Sequence, residues 1–357
     1  MRAAVVLLCE LLVLAMVPPA AGLVSGPTRP HTIAALPHWN LGHGADSVLS
    51  RGDTFTEVTP WLYGVEEDGT IQRQPSATAG SANRHLERLR AAGLSIVPSI
   101  ANVSGGTWNA APVRRILHDP SARTAHVRDI VELVRSRGYD GIDIDYEELR
   151  STDRAAFTRM LTELADGLHA MGKRLSVDVF AKTTDAGYDE RNKAQDYAAI
   201  GQVADQVRLM AYDYHWQTSA PGPVAPIGWV ADVLDYATSQ IPPEKIVLGV
   251  PMYGYDWARG RASPITWLQA FGRSRKFNAK VHWDGFSESP RLRYTDDQGV
   301  EHELWFENAY SASAKFDLAR RYSIGGVFLW LFGPEDDFVW TKLGRHWRPS
   351  DPIEIPE

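Results

Sequence analysis

The sequence predicts an α/β fold: a (β/α)8 TIM barrel with a small α+β insertion between its seventh and eighth strands. Three observations carry that expectation. Eight short runs rich in β-branched and aromatic residues alternate with amphipathic helical stretches. No glycine-rich dinucleotide loop follows the first run, which disfavours the rival, an open doubly wound sheet. One gap, from Tyr255 to Gly325, is too long for a single helical crossover and itself reads as strands.

In chain order, the expected strands are residues 32–39, 55–65, 94–102, 141–147, 175–182, 206–214, 245–255 and 325–333. Expected helices between them include 81–93, with Leu86 and Leu89 on one face and Gly93 as its stop. A second, 124–138, repeats Val127, Ile130, Val131 and Val134 before Gly138, and a third spans 153–172. The insertion is expected over 258–308, with hairpin strands around an Asp297-Gln298-Gly299 turn, inside a barrel domain of 30–345. The tail 346–357 reads as a loose end.

The first 22 residues have Arg2, an apolar run from Ala3 to Val17, and small residues at Ala20, Ala21 and Gly22. This is the layout of a secretory signal peptide, with cleavage expected near residues 20–26. Glu10 within the run, and a span short of the ~20 residues a crossing helix needs, argue against an uncleaved membrane anchor. The single cysteine, Cys9, lies inside the run, so the mature chain is expected to hold no disulfide. The expectation is a secreted monomer with no membrane attachment after cleavage. A net charge of -7, with acids and bases mixed along the chain, points away from nucleic acid as a partner.

The stretch GYDGIDIDYEEL (138–149) places Asp143, Asp145 and Glu147 at alternate positions, with Ile142, Ile144 and Tyr146 between them. Residues i, i+2 and i+4 of a strand share a face, so the three acids project together toward the barrel axis and its C-terminal mouth. Barrel active sites sit at that mouth, and Glu147 is nearest to it. Carboxylates this close titrate as a coupled set and at least one keeps its proton to unusually high pH. Protonating a poor leaving group requires such an acid. The competing readings are an acidic metal cluster and a solvated strand end. No histidine spacing typical of a metal site appears, so neither metal nor cofactor is expected.

Asp140 to Glu147 resembles the D-G-x-D-x-D-x-E signature of the family 18 glycoside hydrolases, the chitinase family. Met-Ala-Tyr-Asp (210–213), GVPMYGYDW (249–257) and Trp330 resemble its sixth-, seventh- and eighth-strand motifs, in the right order. The resemblance implies a retaining glycosidase in which the substrate's own 2-acetamido oxygen is the nucleophile. By that reading Glu147 is general acid and then base, Asp145 orients the acetamido group, and Asp143 is the inner partner that holds or shares a proton. Tyr212 would donate to the acetamido carbonyl, Asp213 would contact hydroxyls, and Trp330 with Met210 would form the floor. Tyr253, Trp39 and Trp61 are candidate sugar contacts, within a wider aromatic set that includes Tyr63, Trp108, Trp216 and Trp257. Asp140, out of phase with the acids, is expected to be structural.

Two departures stand out. Ser99-Ile100 leads into Ala101-Asn102 instead of the Gly-Gly common in chitinases, and Glu148-Leu149 replaces a common Tyr-Pro after the acid. Residues 61–71, 222–230 and 241–257 look more like the bacterial branch related to spore-cortex and cell-wall N-acetylglucosaminidases. The implied partner is a β-1,4-linked N-acetylglucosamine polysaccharide, either chitin oligomers or peptidoglycan glycan. A catalytically silent glycan-binding protein is the alternative from another class; such relatives lose the acid at the position that Glu147 keeps.

Overall fold

The structure is a computed structural model that describes residues 30–74, 79–331 and 333–346. The expected signal segment (1–22) and nearly all of the expected tail (346–357) lie outside them. Among the described residues, eight parallel strands close into a barrel: His31–Pro37, Glu57–Val65, Ser99–Ala101, Gly141–Asp145, Arg174–Phe180, Gln206–Met210, Ile246–Pro251 and Gly326–Trp330. Closure comes from the first strand, which pairs with both the second (Ile33 opposite Glu57) and the eighth (His31 opposite Gly326). Closing the sheet removes the edges of the parallel barrel itself.

The helices form where the sequence supplies caps and one apolar face. Pro120–Arg137 starts after Asp119, whose carboxylate accepts from the Ser121 and Ala122 amides, and stops at Gly138, φ +63°. Arg154–His169 buries Ala156, Phe157, Met160, Leu161, Leu164 and Leu168, a stripe at three- and four-residue spacing laid on the barrel. Among the described residues no helix is long and apolar enough to cross a membrane.

Several strands are shorter than the sequence suggested. The third is split into Ser95–Ile96 and Ser99–Ala101, because Pro98 has no amide to give the ladder. The second carries an irregularity between Trp61 and Tyr63, which turns Tyr63 outward to hydrogen-bond Tyr139. The fourth ends at Asp145 and not at 147. The seventh ends at Pro251, and Gly254–Ala258 belongs to the insertion, which therefore begins before 258. A β-carbon on Gly254 would lie 2.3 Å from the Trp305 carbonyl oxygen, so glycine is what lets these two backbones pair.

The insertion is a five-stranded antiparallel sheet ordered 261–265, 254–258, 301–306, 289–295, 282–284. Helix Trp267–Lys276 covers one face, over a core of Ile265, Ala270, Leu292, Leu304 and Phe306. Its opposite face presents Tyr255, Trp257 and Trp305, which cluster with Tyr253 and reach Tyr212 and Trp330 at the barrel mouth.

Candidate active site

The fourth strand obeys its alternation. Ile142 and Ile144 are fully buried in the helix-facing core, and Tyr146 is buried there with its hydroxyl 2.7 Å from His126 Nε2. Asp143 and Asp145 point the other way, into the barrel. Beyond Asp145 the ladder stops and a side chain replaces it. Asn102, fully buried at the end of the third strand, accepts from the Glu147 amide at 2.7 Å and donates to the Glu147 carbonyl at 2.8 Å. The chain then turns through Glu148, φ +56°, whose carboxylate accepts from Arg191 at 3.0 Å. Glu147 is thereby held at the lip, partly exposed, above the two aspartates.

Each aspartate has its own partners. Asp143 accepts from Ser99 Oγ at 2.7 Å and lies 3.3 Å from Arg208 Nη1. Arg208 is 1% exposed and also donates to Glu57 at 2.6 Å and Thr59 at 2.7 Å, while Arg174 holds the other Glu57 oxygen at 2.7 Å. An arginine already packed against the innermost carboxylates makes the floor of this cluster an ion-paired network instead of a cation cavity. Asp145 accepts from the indole N–H of Trp61 at 3.0 Å, and its second oxygen is buried without a partner.

Burial dominates the proton affinities. It raises the Asp145 carboxyl to about 7, with the Asp143 charge adding and the Trp61 hydrogen bond opposing. Glu147 is pushed well above the carboxylate range, first by loss of water and then by Asp145, with Arg191 working against the shift. The Tyr212 phenol is raised by burial and by Asp178, Asp145, Asp213 and Glu147, which keeps it a hydrogen-bond donor. Its ring stands edge-on to Tyr253 and Phe328. A β-carbon on Gly249 would come within 2.8 Å of that ring, so the seventh strand makes room for Tyr212 with a glycine.

The remaining residues singled out in the sequence divide into two groups. Trp39 and Trp330 meet edge-on at 6.3 Å at the mouth, and Met210 is partly exposed at the end of the sixth strand. Trp39 is 49% exposed and Trp108, on the hairpin 103–108, is 38% exposed; both flank Trp61. These form a wall a sugar can meet. Trp61 and Tyr253 are not part of that wall. Both are buried, Trp61 spending its N–H on Asp145 and Tyr253 its hydroxyl on Asp213 at 2.5 Å. Tyr255 donates to the same Asp213 oxygen at 3.0 Å. Tyr63 and Trp257 are buried as well, and Asp140 accepts from the Ile96 amide at the strand start.

Sequence reasoning missed Asn102, Arg208 and Asp178. Arg208 and Asp178 share a readable signal, alternation within Gln206-Arg208-Met210 and Ser176-Asp178-Phe180, each in phase with an inward face. Asn102 carries none, because its partner is another strand's end.

The family model for glycosyl hydrolases family 18 matches residues 55–334. The chain is 35% identical over 285 residues to a sporulation glycosylase of Bacillus subtilis (strain 168), covering 77% of this chain and 65% of that protein. It is 33% identical over 297 residues to the cortical fragment-lytic enzyme of Bacillus anthracis, covering 81% and 67%. It thus spans about two thirds of the length of these curated relatives. Among solved structures, a chitinase from Chromobacterium violaceum ATCC 12472 superposes with a TM-score of 0.82 at 28% identity, covering 89% of this chain and 98% of that one. The spore cortex-lytic enzyme SleL of Bacillus cereus gives 0.81 at 28% identity, covering 89% and 74%.

Proposed function

The chain belongs to the family 18 glycosyl hydrolases, and we propose that it cleaves β-1,4 bonds beside N-acetylglucosamine with retention, through an oxazolinium formed by the substrate itself. One observation carries this reading. Glu147, its backbone held at the lip by Asn102, stands two residues beyond Asp145, which accepts from Trp61 through one oxygen and keeps the other buried without a partner, and burial raises the proton affinity of both carboxyls and of the Tyr212 phenol.

In the proposed sequence, Glu147 gives its proton to the glycosidic oxygen as the acetamido oxygen attacks the anomeric carbon. The bond to the leaving sugar breaks, and a positively charged five-membered ring forms. Asp145, as an anion, accepts the acetamido N–H and balances that charge. Tyr212 donates to the acetamido oxygen and fixes its approach. Glu147, now a carboxylate, takes a proton from water, which opens the ring on the same face and returns the acid to its starting state. Asp213, held by Tyr253 and Tyr255 through one oxygen, presents the other to a sugar hydroxyl. Trp330 and Met210 form the floor and Trp39 the wall. Trp61 and Tyr253 act through the carboxylates they hold.

The relatives named for cortex lysis favour the glycan of peptidoglycan over chitin as the polymer, and the leading apolar segment favours action outside the cytoplasm. Digesting chitin oligosaccharides and purified peptidoglycan side by side, with products identified by mass, separates the two polymers. Release of N-acetylglucosamine-terminated fragments from peptidoglycan alone supports the wall reading; cleavage of chitin alone rejects it. In both digests Glu147→Gln is expected to bind glycan without turning it over. A variant that still turns over would remove Glu147 from its role, whereas a wild type that binds glycan and cleaves neither polymer would be a silent glycan-binding protein.

A further inference from the structure

A fourth carboxyl enters this cluster from the neighbouring strand. Asp178 lies in the fifth strand, directly opposite Arg208 of the sixth, and Ser176, two residues before it, pairs with Asp143 of the fourth. By this register Asp178 faces into the barrel on the same side as Asp143, two residues nearer the mouth than Ser176 and so beside Asp145. Asp178 Oδ1 and Asp143 Oδ1 are both buried with no N–H or O–H donor from another group hydrogen-bonded to them, and the two carboxyls interact closely enough to share a proton. Two carboxyls can share a hydrogen bond only if one of them carries a proton. Ser99 and Arg208 both present positive or donor groups to Asp143, which leaves the proton on the other side of the pair.

We propose that Asp178 is a positioning residue: it holds a proton, donates it to Asp143, and thereby keeps Asp143 a fixed anion beneath Asp145. The inference rests on the proposed roles of Asp143 and Asp145 and revises one of them. With Ser99, Arg208 and Asp178 all directed at it, Asp143 is not a store for the proton of Asp145. The charged and titratable groups facing Asp178 are Asp143 and Asp145 from the fourth strand and Arg208 and Tyr212 from the sixth strand and the loop that follows it. Ionising Asp178 would set a second anion beside Asp145, which would then hold its proton at the moment its charge is needed. Burial, with Asp143 and Asp145 adding, raises the Asp178 carboxyl well above its usual range, in the direction this arrangement requires.

Two variants and two readouts test this. Asp178→Asn places an amide N–H where the carboxyl proton sits but cannot ionise, whereas Asp178→Leu fills the space and donates nothing. The leucine variant is expected to lose about ten-fold or more in kcat at unchanged KM, with asparagine restoring most of that loss and moving the alkaline limb of kcat to higher pH. The second readout does not use turnover. A carboxyl that binds its proton more tightly folded than unfolded contributes stability below its unfolded pKa that is lost as pH rises through its folded pKa. Asp178→Asn is therefore expected to raise the urea midpoint over wild type at about pH 8, the gap closing toward about pH 4. A gap that is the same at both pH values would overturn the inference, as would an asparagine variant no better than leucine. The stability gap survives even if the assigned catalytic roles are wrong, so the two failures can be told apart.

Discussion

Trp61→Phe isolates the contact that sets the charge of Asp145. The indole N–H lies 3.0 Å from Asp145 Oδ2, and it opposes both burial and the Asp143 charge, which together lift this carboxyl to about 7. A hydrogen bond to a charged group is worth about 1.5–3 kcal/mol, and one pKa unit corresponds to about 1.4 kcal/mol. Removing the bond therefore raises Asp145 by about one to two units. At about pH 7 the ionised fraction drops from about a half to between about a tenth and a hundredth, so kcat falls about 5- to 50-fold there. The sign is fixed: activity is lost as pH falls through this pKa, so the variant's acid limb moves to higher pH and activity recovers at about pH 9. Steady-state kcat against pH, with the fold checked by near-ultraviolet circular dichroism, reads this directly. A kcat lowered by one factor at every pH, with the acid limb unmoved, would refute the electrostatic role and leave only packing against His38 and Trp39.

Arg208→Met strands Glu57 and Asp143 as buried charges and is expected to lower unfolding stability by about 3–5 kcal/mol near neutral pH; a urea midpoint that scarcely moves would contradict the ion-paired floor. Asn102→Ala removes both hydrogen bonds that hold the Glu147 backbone and is expected to lower kcat about 10- to 100-fold while KM changes little; kcat within two-fold of wild type would show that the lip is held by other contacts. A thiazoline analogue of the cyclic intermediate is expected to inhibit the wild type competitively and to bind Asp145→Asn much more weakly, since the analogue's ring needs that anion. Calorimetry on both proteins checks it, and equal affinities would argue against Asp145 as the balancing charge.

The barrel and its acidic strand could be read from the chain because both rest on local periodicity. Eight runs alternating with helices define the class, and the two-residue alternation of Asp143 and Asp145 with Ile142 and Ile144 defines a face. The same rule applied to Glu57-Thr59-Trp61, Ser176-Asp178-Phe180 and Gln206-Arg208-Met210 would have found the rest of the inward layer, since each run carries polar groups in phase with an aromatic or methionine at the mouth. Where the fourth strand ends was not legible, because Asn102, 45 residues earlier, sets it by holding the Glu147 backbone. Nor could Trp61 and Tyr253, which are buried and bonded to carboxylates, be told from the exposed Trp39. An aromatic residue at a strand end can stack on a ligand or give its N–H or O–H to a neighbouring carboxylate, and only the fold decides which. The insertion was visible as a gap, but its first strand was hidden because Gly254–Ala258 continues the seventh-strand run without a break in composition.

Participation of the acetamido group is measured most directly by comparing two oligosaccharides that differ in one group. The first carries N-acetylglucosamine at the sugar whose anomeric bond is cut; in the second that sugar is de-N-acetylated and all else is unchanged. Cleavage of the first, with the β-anomer appearing first by proton NMR, and none of the second is the expected result. Hydrolysis of both at similar rates would mean that a protein carboxylate, and not the sugar, attacks the anomeric carbon.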